Sequence, residues 1–255
     1  MAFFHTILYQ PLFNLLMGIY ALLPGWDIGF AIIVLTILIK LLLWPLSNTS
    51  LKSQKALQEI QPKIEALKEE YKDDKEKLAK AMMELYAKEK VNPFSSCLPL
   101  LIQLPILIAL YRVFIDGLNT EALVNLYAFI PNPGEIRHVF LGIIDLTKPN
   151  VFLAVLSGVF QFFQTRMLMA KRVPAPVRKK TGARDEDMLA SMNKSMMYFM
   201  PIMTVVIGVS LPAGLTLYWV TVNIISVLQQ LMVFSKKKKT EIPPSNPVST
   251  EISAS

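Results

Sequence analysis

Residues 195–235 read SMMYFMPIMTVVIGVSLPAGLTLYWVTVNIISVLQQLMVFS, 41 positions without an acid or a base. As one helix at 1.5 Å per residue the run would measure about 60 Å, twice the ~30 Å of a bilayer's hydrocarbon. Leu211-Pro212-Ala213-Gly214 lies inside it and reads as a tight turn. The stretch therefore predicts a hairpin of two membrane spans, about 196–211 and 213–233.

The rest of the chain has the same grain. Over 255 residues, 53% of side chains are hydrophobic and 18% are charged, where soluble domains carry about 25% charge. Mean hydropathy is +0.43. The charges fall in blocks: residues 1–26, 91–111 and 150–165 hold no acid or base. Three further spans follow, at 28–46 (with one charge, Lys40), about 93–113 and about 150–170. The expected fold is all-α and polytopic, with five spans.

Several chemistries drop out at once. One cysteine, Cys97, forms no disulfide framework and no cysteine-cluster metal site. His5 and His138 are too far apart for a local metal motif. No phosphate-cradling glycine loop occurs. No Ser/His set or aspartate pair for an intramembrane protease is present. No catalytic residue, metal or cofactor is expected, and the N-terminus lacks the Lys or Arg of a secretory signal.

Basic residues set the direction. Segment 47–92 has ten Lys, 171–195 has seven Lys or Arg, and Lys236 to Lys239 close the last span. The opposite side, 114–149, has only Arg137 and Lys148. Lys and Arg stay cytoplasmic, which places the N-terminus outside and the C-terminus inside.

Residues 3–23 are long enough to span. Thr6, Gln10, Asn14 and Gly18 recur at i+4 beside Phe3, Ile7, Leu12, Leu15 and Leu22, and this polar stripe favours a helix lying in the outer interface. The expected organisation is then an outer interfacial helix (1–27), a first span (28–50), a cytoplasmic helical hairpin (51–91), a four-span core (92–235) with a basic linker (171–195), and a disordered tail (236–255). In the hairpin, Leu57, Ile60, Ile64, Leu67 and Tyr71 step 3-4-3-4, and Lys72-Asp73-Asp74-Lys75 makes the turn. Leu78, Met82 and Leu85 line the second helix. Glu59–Lys63, Glu76–Lys80 and Glu84–Lys88 are i,i+4 pairs, and Pro62 kinks or delays the first helix.

Polar residues inside the spans are the functional signal. Thr36, Lys40 and Ser47 lie near one face of the first span, and Ser96 and Gln103 are seven apart in the second. Ser157, Gln161 and Gln164 follow in the third, then Thr216, Trp219, Asn223, Ser226 and Gln230 in the fifth. Neutral polar groups also serve as interhelical glue worth about 0.6–2 kcal/mol. Lys40 is harder to dismiss, because a cation at depth costs about 2.5–3.5 kcal/mol and no intramembrane acid pairs with it. It either snorkels to the cytoplasmic edge or stands in a hydrated, positively charged recess. The missing carboxylate and repeat weigh against the alternative, a small-molecule or ion transporter.

With Lys40 in its span, Val91-Asn92-Pro93 before Cys97-Leu98-Pro99, Leu101-Ile102-Gln103-Leu104-Pro105-Ile106, and Leu211-Pro212-Ala213-Gly214-Leu215 before Leu217-Tyr218-Trp219 and Asn223, the sequence resembles the YidC-type membrane insertases. The likeness runs from about residue 5 to 235. It implies a five-span core around a hydrophilic groove open to cytoplasm and lipid, a cytoplasmic hairpin, and an outer helix lying flat. It implies insertion and folding of nascent membrane proteins into the bacterial plasma (inner) membrane, alone or beside the Sec translocon, without nucleotide hydrolysis. Lys40, where the family usually has arginine, maps onto the groove cation, and Gln103, Gln164 and Trp219 map onto other groove positions. Thr36 and Asn223 join them from the stripes. Without an N-terminal cysteine or a large outer domain, the chain reads as a minimal, monomeric form. Lys236, Lys237, Lys238 and Lys239 anchor topology at anionic lipid or also dock the ribosome.

Overall fold

The computed structural model describes residues 4–23, 25–92, 98–117, 120–169 and 197–235. Ser96, Cys97, the linker 171–195 and Lys236–Lys239 lie outside them. A π turn, His5–Tyr9, leads into α1 (Gln10–Ala21), followed by α2 (Ile28–Leu42), α3 (Trp44–Glu59), α4 (Gln61–Glu70) and α5 (Lys75–Lys88). Then come α6 (Leu98–Gly117), a 3-10 turn (Thr120–Asn125), α7 (Val151–Met169), α8 (Met197–Gly208) and α9 (Ala213–Ser235). Among the described residues, two short antiparallel strands, β1 (Val139–Phe140) and β2 (Ile144–Asp145), lie in the irregular segment between the 3-10 turn and α7.

Prolines divide the helices. The 28–46 segment is not one rod: α2 stops at Leu42, α3 starts at Trp44, and the axis turns by 64°. Pro45 sits in the first turn of α3, where its missing N–H costs nothing, whereas within a longer helix it would break a bond and clash. Pro62 does the same at α4, after a break at Ile60. That break also undoes the expected Glu59–Lys63 pairing. Lys63 instead reaches across the hairpin to Glu89. Ile60 and Ile64 are buried, Leu78, Met82 and Leu85 half-buried, and Asp74 caps α5 by accepting from the Lys77 N–H at 3.0 Å.

The polar stripe of the N-terminal helix turns inward at its middle, with Asn14 buried, Gln10 and Gly18 half-buried and Thr6 exposed. Asn14 is 2% exposed; its amide donates to the carbonyls of Gln10 and Asn125, and its Oδ1 accepts from the Tyr127 N–H at 2.6 Å. The exposed side of the helix carries Ile7, Leu15 and Leu22. A buried amide needs partners, and the irregular segment after α6 supplies backbone groups that lack regular ones.

At the same end of the molecule Asp27 caps α2 through the Gly29 N–H (2.9 Å), while its second oxygen accepts from the Leu141 N–H (3.0 Å). Gly29 allows the close approach: a Cβ there would stand 2.3 Å from Phe140 Cδ2. The first N–H groups of α9, Ala213 and Gly214, donate to the carbonyls of Lys148 and Leu146 at 2.9 and 3.0 Å. The loop thus satisfies donors that a helix start leaves open.

Two environments result along α2. Ile28, Ile32 and Leu35 are buried with Phe13, Leu16, Leu110, Phe114, Leu146 and Tyr218. Val34, Ile37, Leu38 and Leu41, spaced 3-1-3 on the opposite face, are exposed, as are Leu101, Leu104 and Ile108 on α6 and Ile202, Val206 and Val209 at α8. Exposed apolar surface on this scale suits lipid and not water. Among the described residues, Ala213–Val233 is long and apolar enough to cross a bilayer alone, and α2 with α3 qualifies as a bent pair. Val151–Met167 and Met197–Gly208 are apolar but shorter.

Candidate functional site

The dry core ends near Thr36 on α2. Beyond it, α2, α3, α6 and α9 enclose a recess lined by Thr36, Lys40, Ser47, Ile102, Gln103 and Tyr218, among others. Its volume is about 40 Å³, room for about three water molecules. The bend at Leu43 forms part of the wall, because Leu43 lines it together with Ile39 before the break and Leu46 after it.

Lys40 is half-buried and donates through Nζ to Ser226 Oγ at 2.8 Å. The Ser226 hydroxyl in turn donates to the Val222 carbonyl one turn earlier, at 2.7 Å. Thr36, fully buried, donates to the Ile32 carbonyl at 2.6 Å. Gln103 donates through Nε2 to the Tyr218 hydroxyl, whose ring is 1% exposed. The recess therefore has a cation at one side, a carboxamide–phenol pair at the other, and aliphatic walls. No acid lines it.

Of the six residues singled out from sequence, three meet here: Thr36, Lys40 and Gln103. Asn223 does not. It is buried against α7 and donates to the carbonyl and hydroxyl of Ser157, at 3.1 and 3.4 Å, the interhelical glue that a single polar residue in a span commonly provides. Trp219 packs half-buried against the core. Gln164, half-buried on α7, is not among the residues lining the recess. Gln161 of the same stripe accepts from Thr204 of α8.

Sequence reasoning missed Tyr218 and undervalued Ser226. Ser226 stood in the 3-4-3-4 stripe of α9 and was legible there. Tyr218 lies one position before the stripe, among apolar neighbours, and only its hydroxyl betrays it. Lower on α9, Gln229 donates to Asn48 Oδ1 of α3 at 2.8 Å, which ties the two helices on the far side of the bend.

A helical protein with lipid-suited outer faces and a cation held in a polar recess among four helices is an integral-membrane architecture. The family model described as "60Kd inner membrane protein" matches residues 19–241, and the chain belongs to that family. The membrane protein insertase YidC of Polynucleobacter necessarius subsp. necessarius (strain STIR1) is 38% identical over 235 residues, 91% of this chain and 37% of its own length. That of Nitrosococcus oceani is 37% identical over 227 residues, 88% of this chain and 36% of its own. The chain thus spans a little over a third of the curated relatives it matches. A crystal structure of an active YidC insertase with its first transmembrane domain resolved matches 79% of this chain and 40% of that one, at 30% identity and a TM-score of 0.49.

Proposed function

We propose that this chain is a membrane protein insertase of the bacterial inner membrane, taking nascent membrane proteins as clients. The observation that carries the reading is the recess itself: Lys40, Thr36 and Gln103 converge where α2 bends away from α3, beside outward faces made of exposed aliphatic side chains. Five segments cross the bilayer with the N-terminus outside and the C-terminus cytoplasmic, as the distribution of Lys and Arg requires. The N-terminal helix lies in the outer interface with Ile7, Leu15 and Leu22 toward lipid.

The physics needs no nucleotide. A client's hydrophobic segment gains free energy on reaching lipid. Its polar flank faces a desolvation cost in crossing hydrocarbon. A wet recess part-way through the bilayer shortens that dry path, and the Lys40 ammonium attracts an acidic flank into it. At about 40 Å³ the recess holds water and not a peptide, so a client opens it by separating α6 from α9 and exchanging the Gln103–Tyr218 bond for its own. The α4–α5 hairpin guides the client, the Sec translocon supplies part of the traffic, and Lys236–Lys239 draw the ribosome to a monomeric insertase.

A photo-crosslinking residue at Gln103 tests the reading. It is expected to capture a stalled nascent membrane protein, whereas the same probe at Phe129, exposed in the segment after α6, is not. Equal capture at both positions, or none at Gln103, overturns it.

A further inference from the structure

On the opposite end of the molecule from the recess, a broader cleft of about 570 Å³ opens between the start of α2 and the segment that leads into β1. Trp26, Asp27, Phe30, Glu135, Arg137 and His138 line it, with Leu141 at the rim. The volume is that of a small-molecule site. Nothing in the recess mechanism uses it.

The lining carries charges of both signs. Asp27 is committed to structure, since its two oxygens hold the N–H groups of Gly29 and Leu141. Arg137 spends a single Nη1 contact on the Gly25 carbonyl, at 3.3 Å, which leaves the rest of a five-donor fork for an anion. Glu135 is exposed, and its carboxylate has no hydrogen bond or ion pair among the described residues. Two carboxylates, Asp27 and Glu135, face one guanidinium, so a purely anionic ligand is disfavoured. A ligand that carries both an ammonium and a phosphodiester matches: Arg–phosphate bonds are strong and often bidentate, and the ammonium finds Glu135.

The rim says where such a ligand comes from. Leu141 is 59% exposed and Ile143 83% exposed at the tip of the β1–β2 turn. Leu141 is held at φ 55°, followed by Gly142 at φ 71°. That left-handed position favours Gly, Asn or Asp. A strained apolar residue displayed outward marks a contact that needs it. Trp26, half-exposed and edge-on to Phe30 at 4.3 Å between ring centres, is the aromatic type that settles at the level of lipid headgroups.

We propose that this cleft binds the headgroup of an outer-leaflet aminophospholipid, with the phosphodiester on Arg137, the ammonium on Glu135, and Leu141 and Ile143 seated among the acyl chains. The leaflet assignment rests on the orientation proposed above; the chemistry of the site does not.

Purified protein is reconstituted in nanodiscs holding equal phosphatidylethanolamine and phosphatidylglycerol of identical chains, then released with its retained lipids into a mass spectrometer. Exposed ion pairs of this kind are each worth a few-fold, so the wild type is expected to retain phosphatidylethanolamine over phosphatidylglycerol by about threefold to fivefold. Glu135→Gln, at an exposed side chain, is expected to bring the ratio to about one. Arg137→Gln removes the partner of the phosphodiester that both lipids share and is expected to lower retention of both without erasing the preference. Leu141→Asn suits the turn better and is expected to lower retention of both lipids alike. A wild-type ratio near one, a Glu135→Gln variant that keeps the wild-type ratio, or undiminished retention in Arg137→Gln overturns the proposal. Client insertion is measured on the same wild-type preparations: no headgroup preference with insertion intact counts against this site alone, and a clear preference without insertion counts against the insertase reading alone.

Discussion

Lys40 and Ser226 are 186 positions apart in sequence and bonded at 2.8 Å in space. The bond joins the charged residue of α2 to the polar stripe of α9 and holds the ammonium at the recess wall. A hydroxyl is a modest partner for a cation. It orients Lys40 without neutralising it, so the positive potential stays available to whatever enters.

That relationship separates charge from position. Lys40→Arg is expected to retain insertion of clients with acidic translocated segments, and Lys40→Glu to impair it by reversing the potential. Ser226→Ala keeps the charge and removes its acceptor. The cost to stability is about 1.5 kcal/mol, the low end for a hydrogen bond to a charged group because Lys40 is only half-buried. Insertion into proteoliposomes and thermal melting in detergent read the two effects. Wild-type insertion by Lys40→Glu contradicts electrostatic attraction.

Asn223 and Gln103 are both amides in predicted spans, and the structure gives them different roles. Asn223→Ala removes the amide that bonds Ser157 across the two helices and is expected to cost about 1 kcal/mol of stability. Gln103 faces the recess. In a Cys97→Ser background, a cysteine at Gln103 is expected to react with a water-soluble maleimide added from the cytoplasmic side, and one at Asn223 to stay inert. Reaction at Gln103 only from the outer side would invert the proposed orientation.

The hydrophobic runs, the turn at Leu211–Gly214 and the proline break before α4 were legible in the sequence because each is a local signal. The bend after Leu42 was not: hydropathy averages over Trp44-Pro45 and sees one continuous run. The partners of the α1 stripe were out of reach for a related reason. A stripe of Gln10, Asn14 and Gly18 signals polarity, but whether it meets water or backbone depends on the distant segment at Asn125–Tyr127. Among the six residues chosen for the recess, Thr36, Lys40 and Gln103 share it because helical spacing fixed their faces correctly. Asn223 has a correct polar face pointed at a different neighbour, and spacing on one helix cannot identify the neighbour.

Gly158 gives a steric prediction. A Cβ at this position of α7 would meet Val205 Cγ2 at 2.4 Å and the Pro201 carbonyl at 3.0 Å, both from α8. Gly208 returns the contact, with the Ala154 methyl 3.0 Å from its would-be Cβ. Small residues let helices in lipid approach closely. Gly158→Ala is therefore expected to destabilise by about 1–3 kcal/mol, as overpacking does, and Gly158→Leu to separate α7 from α8. Thermal melting checks the first, and disulfide trapping between cysteines placed on the two helices checks the second. An unchanged melting temperature in Gly158→Ala would mean that α8 shifts freely.

The loop that caps α9 gives a pH prediction. Asp145 accepts from Lys148 Nζ at 2.8 Å and from both the N–H and the hydroxyl of Thr147. The Lys148 ammonium, then Thr147, hold its carboxyl well below the usual carboxylate range, and Asp145 raises Lys148 in return. A folded-state pKa below the unfolded value of about 3.9 contributes stability at every pH above that value and loses it as pH falls through the folded one. Lys148 has the mirror sense, its contribution present below the unfolded lysine pKa and lost only in strong alkali. From neutrality down to about pH 4, then, the loop keeps the carbonyls of Leu146 and Lys148 on the N–H groups of Gly214 and Ala213. After correction for intrinsic rates, hydrogen exchange at those two amides is expected to be slow and level between pH 7 and 5, and faster below pH 4. Asp145→Asn removes the charge and is expected to speed their exchange already at pH 7. Equal protection in the variant and the wild type at pH 7 would assign the cap to the backbone of the loop alone, without help from the Asp145–Lys148 pair.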